Sequence, residues 1–441
     1  MTEHNVSDAF ETVDPSLHPL KVAVDQLYAF RDLFFESHTI DDACKKNELV
    51  KEKLDETLQL FTELKVQADR ADKAQYLFLQ GKALNVLPDV NPLAEELLSK
   101  ALKLNPSLID AWNELGECFW KKGKSSDAKN CFENALRHGR NKVSLRCLSI
   151  TTRDEALRAK SGKERCEMIQ LGVRMAKEAV ALDFEDGASW VILANAHFSE
   201  FFNIAQNPMV LKSALKAYEF AEKDPRTKST SEFHYNKGIA LKYDEDYTQA
   251  LEAFTLACSL DPTWDSASQK LEDLINYLGK IHELVKKKGK VGARKLQGML
   301  KTLTPPLLGP YASTYRNMTF NLVPLSDLTP GLNIEKVVLG RVVCHIRHDD
   351  GVPFIFCMTD AEQTTVAVTV YNLVEGKGVI IGDAVAIPEP FFSEVHVSHK
   401  ETQYQFSSIR VNTPVMLVVN GKKVTRDCEA GTQLSTFNKP D

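Results

Sequence analysis

Eleven histidines and nine cysteines carry most of the reactive side chains of this 441-residue chain, and their spacing limits what they can do. His345, His348, His396 and His399 come closest to a cluster. Within each pair the two positions differ by an odd number, so on the strands expected there the rings fall on opposite faces, a poor geometry for a shared metal. Cys44, Cys118, Cys131, Cys147, Cys166, Cys258, Cys344, Cys357 and Cys428 never stand as C-x-x-C. A scattered, odd-numbered set reads as small buried thiols in a reducing compartment, not as zinc ligands or disulfides. There is no glycine-rich phosphate loop, no G-x-S-x-G elbow and no H-E-x-x-H helix. The chain is expected to be no enzyme and to use no metal or cofactor.

The chemistry left is recognition. Counted from Trp112, the positions two before and one, five and eight after are Asp110, Asn113, Glu117 and Trp120. The same offsets from Leu145 reach Ile150 and Arg153, and from Trp190 they reach Val191, Asn195 and Phe198. From His234 they give Glu232, Tyr235, Ile239 and Lys242. Aromatic rings, amides and charges of both signs at one recurring register predict a groove that binds a short peptide. Asp110, Glu117 and Glu232 would repel an acidic tail, whereas a ligand carrying both signs suits Arg153 set among them. A second candidate is Lys286 to Lys301, which holds seven basic residues and no acidic one. Within a chain of net charge −6, this positive stretch suits RNA phosphates or an acidic protein, and equally an import signal or a linker.

The recurring offsets come from a repeat. Trp112, Leu115, Gly116, Phe119, Ala128, Phe132 and Ala135 fit the pattern of two antiparallel helices with a period of about 34 residues, the tetratricopeptide repeat. Small residues at 116 and 128 let the paired helices cross closely, and the aromatic residues fill the spaces between successive helices. Gly81, Ala94, Leu98, Ala101 and Pro106 form the preceding copy; Leu145, Leu148 and Ser149, with Ala176 and Ala179, form a degenerate following one. Trp190, Leu193 and Ala194 restart the pattern, and Ala214, Tyr218 and Ala221 complete it after inserted residues around Gln206-Asn207-Pro208. Gly238, Ala250, Phe254, Ala257 and Pro262 make the last copy, and a charged helix near 266–287 is expected to cap the stack.

Beyond Thr319 the period becomes strand-like. VVLGRVVCHIRH, PFIFCMTD, TTVAVTVYN, GVIIGDAVAIPEP, EVHVSH, YQFSSIRV and VMLVVN are short β-rich runs. About 110 residues with six or seven strands suggest a small closed barrel of the OB type, another small barrel or sandwich being the alternative. Ten Lys and Arg face fourteen Asp and Glu there, so a protein-interaction role is expected in place of a nucleic-acid groove. The fold class is α+β multidomain: an N-terminal tail at 1–17, a solenoid at 18–285, a basic linker at 286–312, the OB barrel at 313–425 and a tail at 426–441. Few contacts are expected across Pro305-Pro306. No run approaches the roughly 18 apolar residues of a membrane helix and the first residues lack an apolar leader, so a cytoplasmic and nuclear protein is expected.

VDQLYAFRD (24–32), GKALNV (81–86), AEELLSKALKL (94–104), RNKVSL (140–145), SLDPTW (259–264), GDAVAIPEP (382–390) and FSSIRV (406–411), with repeats, basic segment and barrel in that order, resemble the family of tetratricopeptide repeat protein five, also called Strap. The resemblance covers nearly the whole chain and implies a non-enzymatic adaptor. One implied role reads the N-termini of nascent tubulin peptides at the ribosome, Arg153 and Glu232 holding the peptide while Lys288, Lys290, Arg294 and Lys295 face the ribosome and its RNA. The other is a nuclear scaffold linking transcription coactivators, an acetyltransferase and DNA-repair factors. Gly292 stands where the resemblance would place another basic residue in that segment.

Overall fold

The computed structural model describes residues 14–430 apart from 314, 316–318 and 349. Residues 1–13 and 431–441, most of the two expected tails, lie outside that range. Leu17, placed by the sequence at the end of the first tail, is fully buried. At the other end Cys428 is tied to the barrel, its carbonyl accepting from the Val374 N–H at 2.9 Å.

The α-helices of eight residues or more are α1 (His18–Asp32), α2 (Lys46–Glu63), α3 (Lys73–Leu84), α4 (Pro92–Leu104), α5 (Ile109–Lys121), α6 (Ser125–His138), α7 (Lys142–Ala156), α8 (Gly162–Leu182), α9 (Gly187–Glu200), α10 (Pro208–Ala221), α11 (Ser231–Asp244), α12 (Tyr247–Leu260), α13 (Asp265–Lys286) and α14 (Ala293–Leu300). Their starts follow from local chemistry. Asp72, Asn91, Asn141, Ser161, Asp186, Asn207 and Asp246 each accept a backbone N–H of the first turn, satisfying one of the donors a helix start leaves open. Consecutive helices pair as hairpins and successive pairs stack into a solenoid. At Gly116 a Cβ would come 2.4 Å from the Phe132 ring, so the α5–α6 crossing requires glycine.

The barrel consists of β1 (Lys336–Ile346), β2 (Phe354–Thr359), β3 (Thr365–Val370), β4 (Ala384–Pro388), β5 (Phe391–His399) and β6 (Thr402–Val411), with two-residue strands at its margins. Strands β1, β2 and β3 form a meander, β3 runs parallel to β6, and β6 pairs antiparallel with β5. Strand β4 pairs with β1 at the other end of the order. Since β4 and β5 are separated only by Glu389-Pro390, one bent strand closes the sheet. Val338, Val342, Phe356, Met358, Val366, Val368 and Ile409 fill its interior.

The two parts share a core. Cys344, Ile346, Ile355, Cys357, Ala367, Val395, Val397, Tyr404 and Phe406 on the barrel's outer face pack with Leu274, Tyr277, Leu278 and Ile281 of α13 and Leu296 and Leu300 of α14. The expected sparse linker is therefore absent: Leu308 and Tyr311, just past Pro305-Pro306, are buried against Val337, Leu339 and Ala384. The residues inserted around Gln206 also dock on the barrel. A π-turn at Phe201–Ala205 ends at Gln206 with φ of 48°, and the Gln206 Oε1 accepts the Asn372 N–H at 2.6 Å.

Candidate peptide groove and basic segment

Helix α7 carries Arg153, whose stem lies against Gly172 of α8, where a Cβ would stand 2.7 Å from the Arg153 Cγ. Its guanidinium donates to two backbone carbonyls, Nε to Ser149 at 3.1 Å and Nη1 to Asn195 at 3.1 Å. Burial drives its pKa down to about 10. Among the described residues no carboxylate stands within ion-pair distance of it. A half-buried cation held only by neutral carbonyls lacks the counter-charge that normally offsets desolvation, and α9 supplies only amide partners. The Asn195 Oδ1 takes the hydroxyl hydrogen of buried Tyr218 at 2.5 Å, so Asn195 both receives the arginine and is fixed from behind.

The other expected groove residues divide into those open to a ligand and those occupied by the fold. Glu232, in the first turn of α11, is exposed, as is Trp120 at the end of α5. Glu117 faces Lys121 at 3.7 Å and keeps about half its surface. Asn113 is not open: it is buried, accepts the Ser144 hydroxyl at 2.6 Å and donates to Asn141 at 3.3 Å, clasping α5 to the start of α7. Phe198, expected to be exposed, packs edge-on against Phe202 at 4.9 Å, because the π-turn folds that ring back beneath α9. Tyr235 leans on Trp264 at 4.7 Å. Lys242 is nearly buried, its ammonium 2.5 Å from Asp350 of the barrel, with Lys270 2.8 Å from the same carboxylate. Asn113, Phe198 and Lys242 thus build the scaffold rather than line the opening.

One cluster escaped the repeat register. Glu114 of α5 is raised to about 7 by burial first and then by the Glu117 charge, opposed by Lys82, the Asn85 amide and Arg31. Asn85 donates to it at 2.9 Å. Tyr28 and Arg31 of α1 border it, Tyr28 donating to the Lys82 carbonyl at 3.0 Å and Arg31 to that of Val86 at 3.1 Å. Helix α1 lies outside the recognisable repeats, so its side chains gave no spacing from which to place them. The N-terminal helices also approach the last repeat: the segment Ile40–Lys45 meets α12, and Glu232 and Asp261 act electrostatically on Lys46. The solenoid therefore turns far enough for its first helices to face its last.

The basic segment begins with a tight turn. Lys288, Gly289 and Lys290 all have positive φ, and a Cβ on Gly289 would meet the Val343 carbonyl oxygen at 2.8 Å, so the turn is pressed onto β1. Lys287 and Lys290 reach back to Glu283, at 2.8 and 3.2 Å. Arg294 and Lys295 stand exposed on α14, with no ion-pair partner among the described residues. The four histidines do not converge: His345 lies 5.5 Å from the Phe354 ring with the planes tilted at 59°, His348 sits 2.7 Å from the Pro353 carbonyl, and His396 is 3.8 Å from Glu394. Among the described residues no group of three or more potential ligands could hold a metal, and no helix is long and apolar enough to cross a membrane.

The family model described as the tetratricopeptide repeat protein 5 OB fold domain matches residues 319–433, and the tetratricopeptide repeat model matches 109–137 and 231–263. The human tetratricopeptide repeat protein 5 is 46% identical over 95% of this chain and 96% of its own length. The chain belongs to the tetratricopeptide repeat protein 5 family. Bovine and mouse members are 45% and 44% identical, covering 97% and 98% of the chain and 98% and 99% of their own lengths. A thermophilic repeat protein from Thermus thermophilus superposes with a TM-score of 0.39 at 15% identity, over 46% of this chain and 98% of its own. As a family member, the chain combines a tetratricopeptide solenoid with an OB-fold domain, and the barrel's outer face is one that α13 and α14 cover. In OB folds that bind oligonucleotides or oligosaccharides, an outer strand face of this kind takes the ligand.

Proposed function

We propose that this protein is a non-enzymatic adaptor whose groove binds a short peptide bearing a carboxylate and a cation, the N-terminus of nascent tubulin being the ligand the family resemblance implies, while its basic segment docks on the ribosome. One observation carries the reading: the Arg153 guanidinium has two carbonyl acceptors and, among the described residues, no carboxylate. A ligand carboxylate would restore the missing counter-charge through a charge-assisted bond. Glu232 is exposed one repeat beyond Asn195 and suits the ligand's cation. Exposed Arg294 and Lys295, with the Lys288 turn, support a phosphate-facing surface.

The test is a titration of the full-length protein with a tubulin N-terminal peptide, its glutamate-to-glutamine form and its glutamate-to-lysine form. The wild-type protein should bind the first at least tenfold more tightly than the second. Arg153→Glu should reverse the preference towards the lysine form. Equal affinity for all three peptides would refute the pairing.

A further inference from the structure

Where the first helices face the fifth hairpin, a cleft of about 660 Å³ opens between Leu33 and Glu36 on one side and Phe184, Glu185, Trp190 and Phe220 on the other. Its wall is aromatic. Trp190 stacks on Phe220 with centroids 4.6 Å apart and planes 20° apart, and Phe184 meets Trp190 edge-on at 5.0 Å. Phe184 is 62% exposed, although it occupies the place that Pro106 holds before Trp112. In both copies the indole N–H is spent on the carbonyl of that residue, at 2.8 Å. The wall therefore offers a ligand ring faces and no donor.

The charges around the cleft have a sign. Glu36 and Glu185 are exposed, and among the described residues neither carboxylate has an ion pair or a side-chain hydrogen bond. Asp224 is used by the fold, accepting the N–H groups of Gly187 and Arg226. Lys223 is likewise occupied, its ammonium 4.3 Å above the Phe220 ring, which shows that these rings already take a cation from within the chain. Among the described residues of the rim, Arg226 remains as the one unpaired positive group, against two unpaired carboxylates.

We propose that this cleft docks an arginine side chain of a partner protein. The guanidinium would stack on the exposed Phe184 face and be held by Glu36 and Glu185. A planar, weakly hydrated guanidinium can stack on a ring and fork to carboxylates at once, which an ammonium does less well. The occupant bridges the N-terminal helices and the fifth hairpin, so it fastens together two parts of the solenoid far apart in sequence. The site is separate from Arg153 and does not depend on the groove reading.

The experiment uses full-length protein and the probe acetyl-Gly-Arg-Gly-amide, with acetyl-Gly-citrulline-Gly-amide as its neutral counterpart, both followed by saturation-transfer NMR. The arginine probe should bind saturably and at least fivefold more tightly than the citrulline probe. Phe184→Ala, and separately Glu36→Gln with Glu185→Gln, should each weaken it at least fivefold with an unchanged melting temperature. Phe184→Tyr, and Glu401→Gln on the exposed barrel surface away from both sites, should leave it within twofold of wild type. Absence of saturation, equal binding of the citrulline probe, or full binding to folded Phe184→Ala overturns the proposal.

Discussion

Lys242 and Asp350 are 108 residues apart in the chain and 2.5 Å apart in space. Lys270 holds the same carboxylate from α13, so one aspartate of the barrel joins the last repeat to the helix that follows it. Burial pushes the Asp350 carboxyl up, but the hydrogen bonds and charges of the two lysines outweigh it and hold the pKa at about 2, against 3.8 ordinarily. That depressed pKa contributes stability above about pH 4, and the contribution is lost as pH falls through about 2. Asp350→Asn should destabilise the protein by on the order of 2 kcal/mol at neutral pH, because nearly buried Lys242 loses its counter-charge. Urea unfolding of wild type and variant at pH 7 checks the value, and the gap should narrow below pH 3.

Glu114 works in the opposite direction. Its folded pKa of about 7 lies above the ordinary 4.5, so the stabilisation is complete below about 4.5 and is lost as pH rises through 7. Glu114→Gln keeps an acceptor for the Asn85 amide and removes the charge. The variant should match wild type at pH 5 and melt at a higher temperature at pH 8. Thermal melts across that range give the answer, and parallel curves would mean that Glu114 titrates normally.

The shared core changes what limited proteolysis should find. Leu308 and Tyr311 are buried beside Pro305-Pro306, so brief trypsin or proteinase K treatment should leave solenoid and barrel joined. A substitution at the junction, Tyr277→Ala, should expose the segment to cutting. Early cleavage near 305 in the wild-type protein would contradict the packing.

Gly116→Leu should cost roughly 2–4 kcal/mol, since the new side chain must displace the Phe132 ring. The mutant should show lower helicity at 45 °C by circular dichroism. A melt identical to wild type would place the α5–α6 crossing elsewhere.

If the basic segment docks on ribosomes, Lys288→Glu with Lys295→Glu should remove the protein from the ribosomal pellet. Peptide affinity should stay unchanged. Wild-type association should fall steeply with salt, by about one unit of log slope per phosphate contact. Salt-independent sedimentation, equal in mutant and wild type, would rule the segment out as the contact.

Much of the fold could be read in the chain because its determinants are local. Trp112, Gly116, Ala128 and Phe132 meet within one hairpin, so their spacing carries the information. The alternating strands of the barrel are legible for the same reason. What stayed hidden depends on distant partners. Lys242 fits the groove register, but its environment is set by Asp350. Phe198 does too, yet the π-turn at Phe201–Ala205 brings Phe202 against it. The contribution of α1 was unreadable, since Arg31, which acts on Glu114, and Tyr28, on which Glu114 acts, lie on a helix with no repeat spacing.

Solenoids usually tolerate gain or loss of whole units, because each contacts only its neighbours. Here α13 ends the stack and also roofs the barrel, while Lys46 near the beginning faces Glu232 near the end. An extra hairpin between α6 and α7 would rotate and shift everything after it, parting the first helices from the last repeat. The number of hairpins is thus fixed much as the circumference of a ring is, and this architecture can vary its loops and surface residues but not its length.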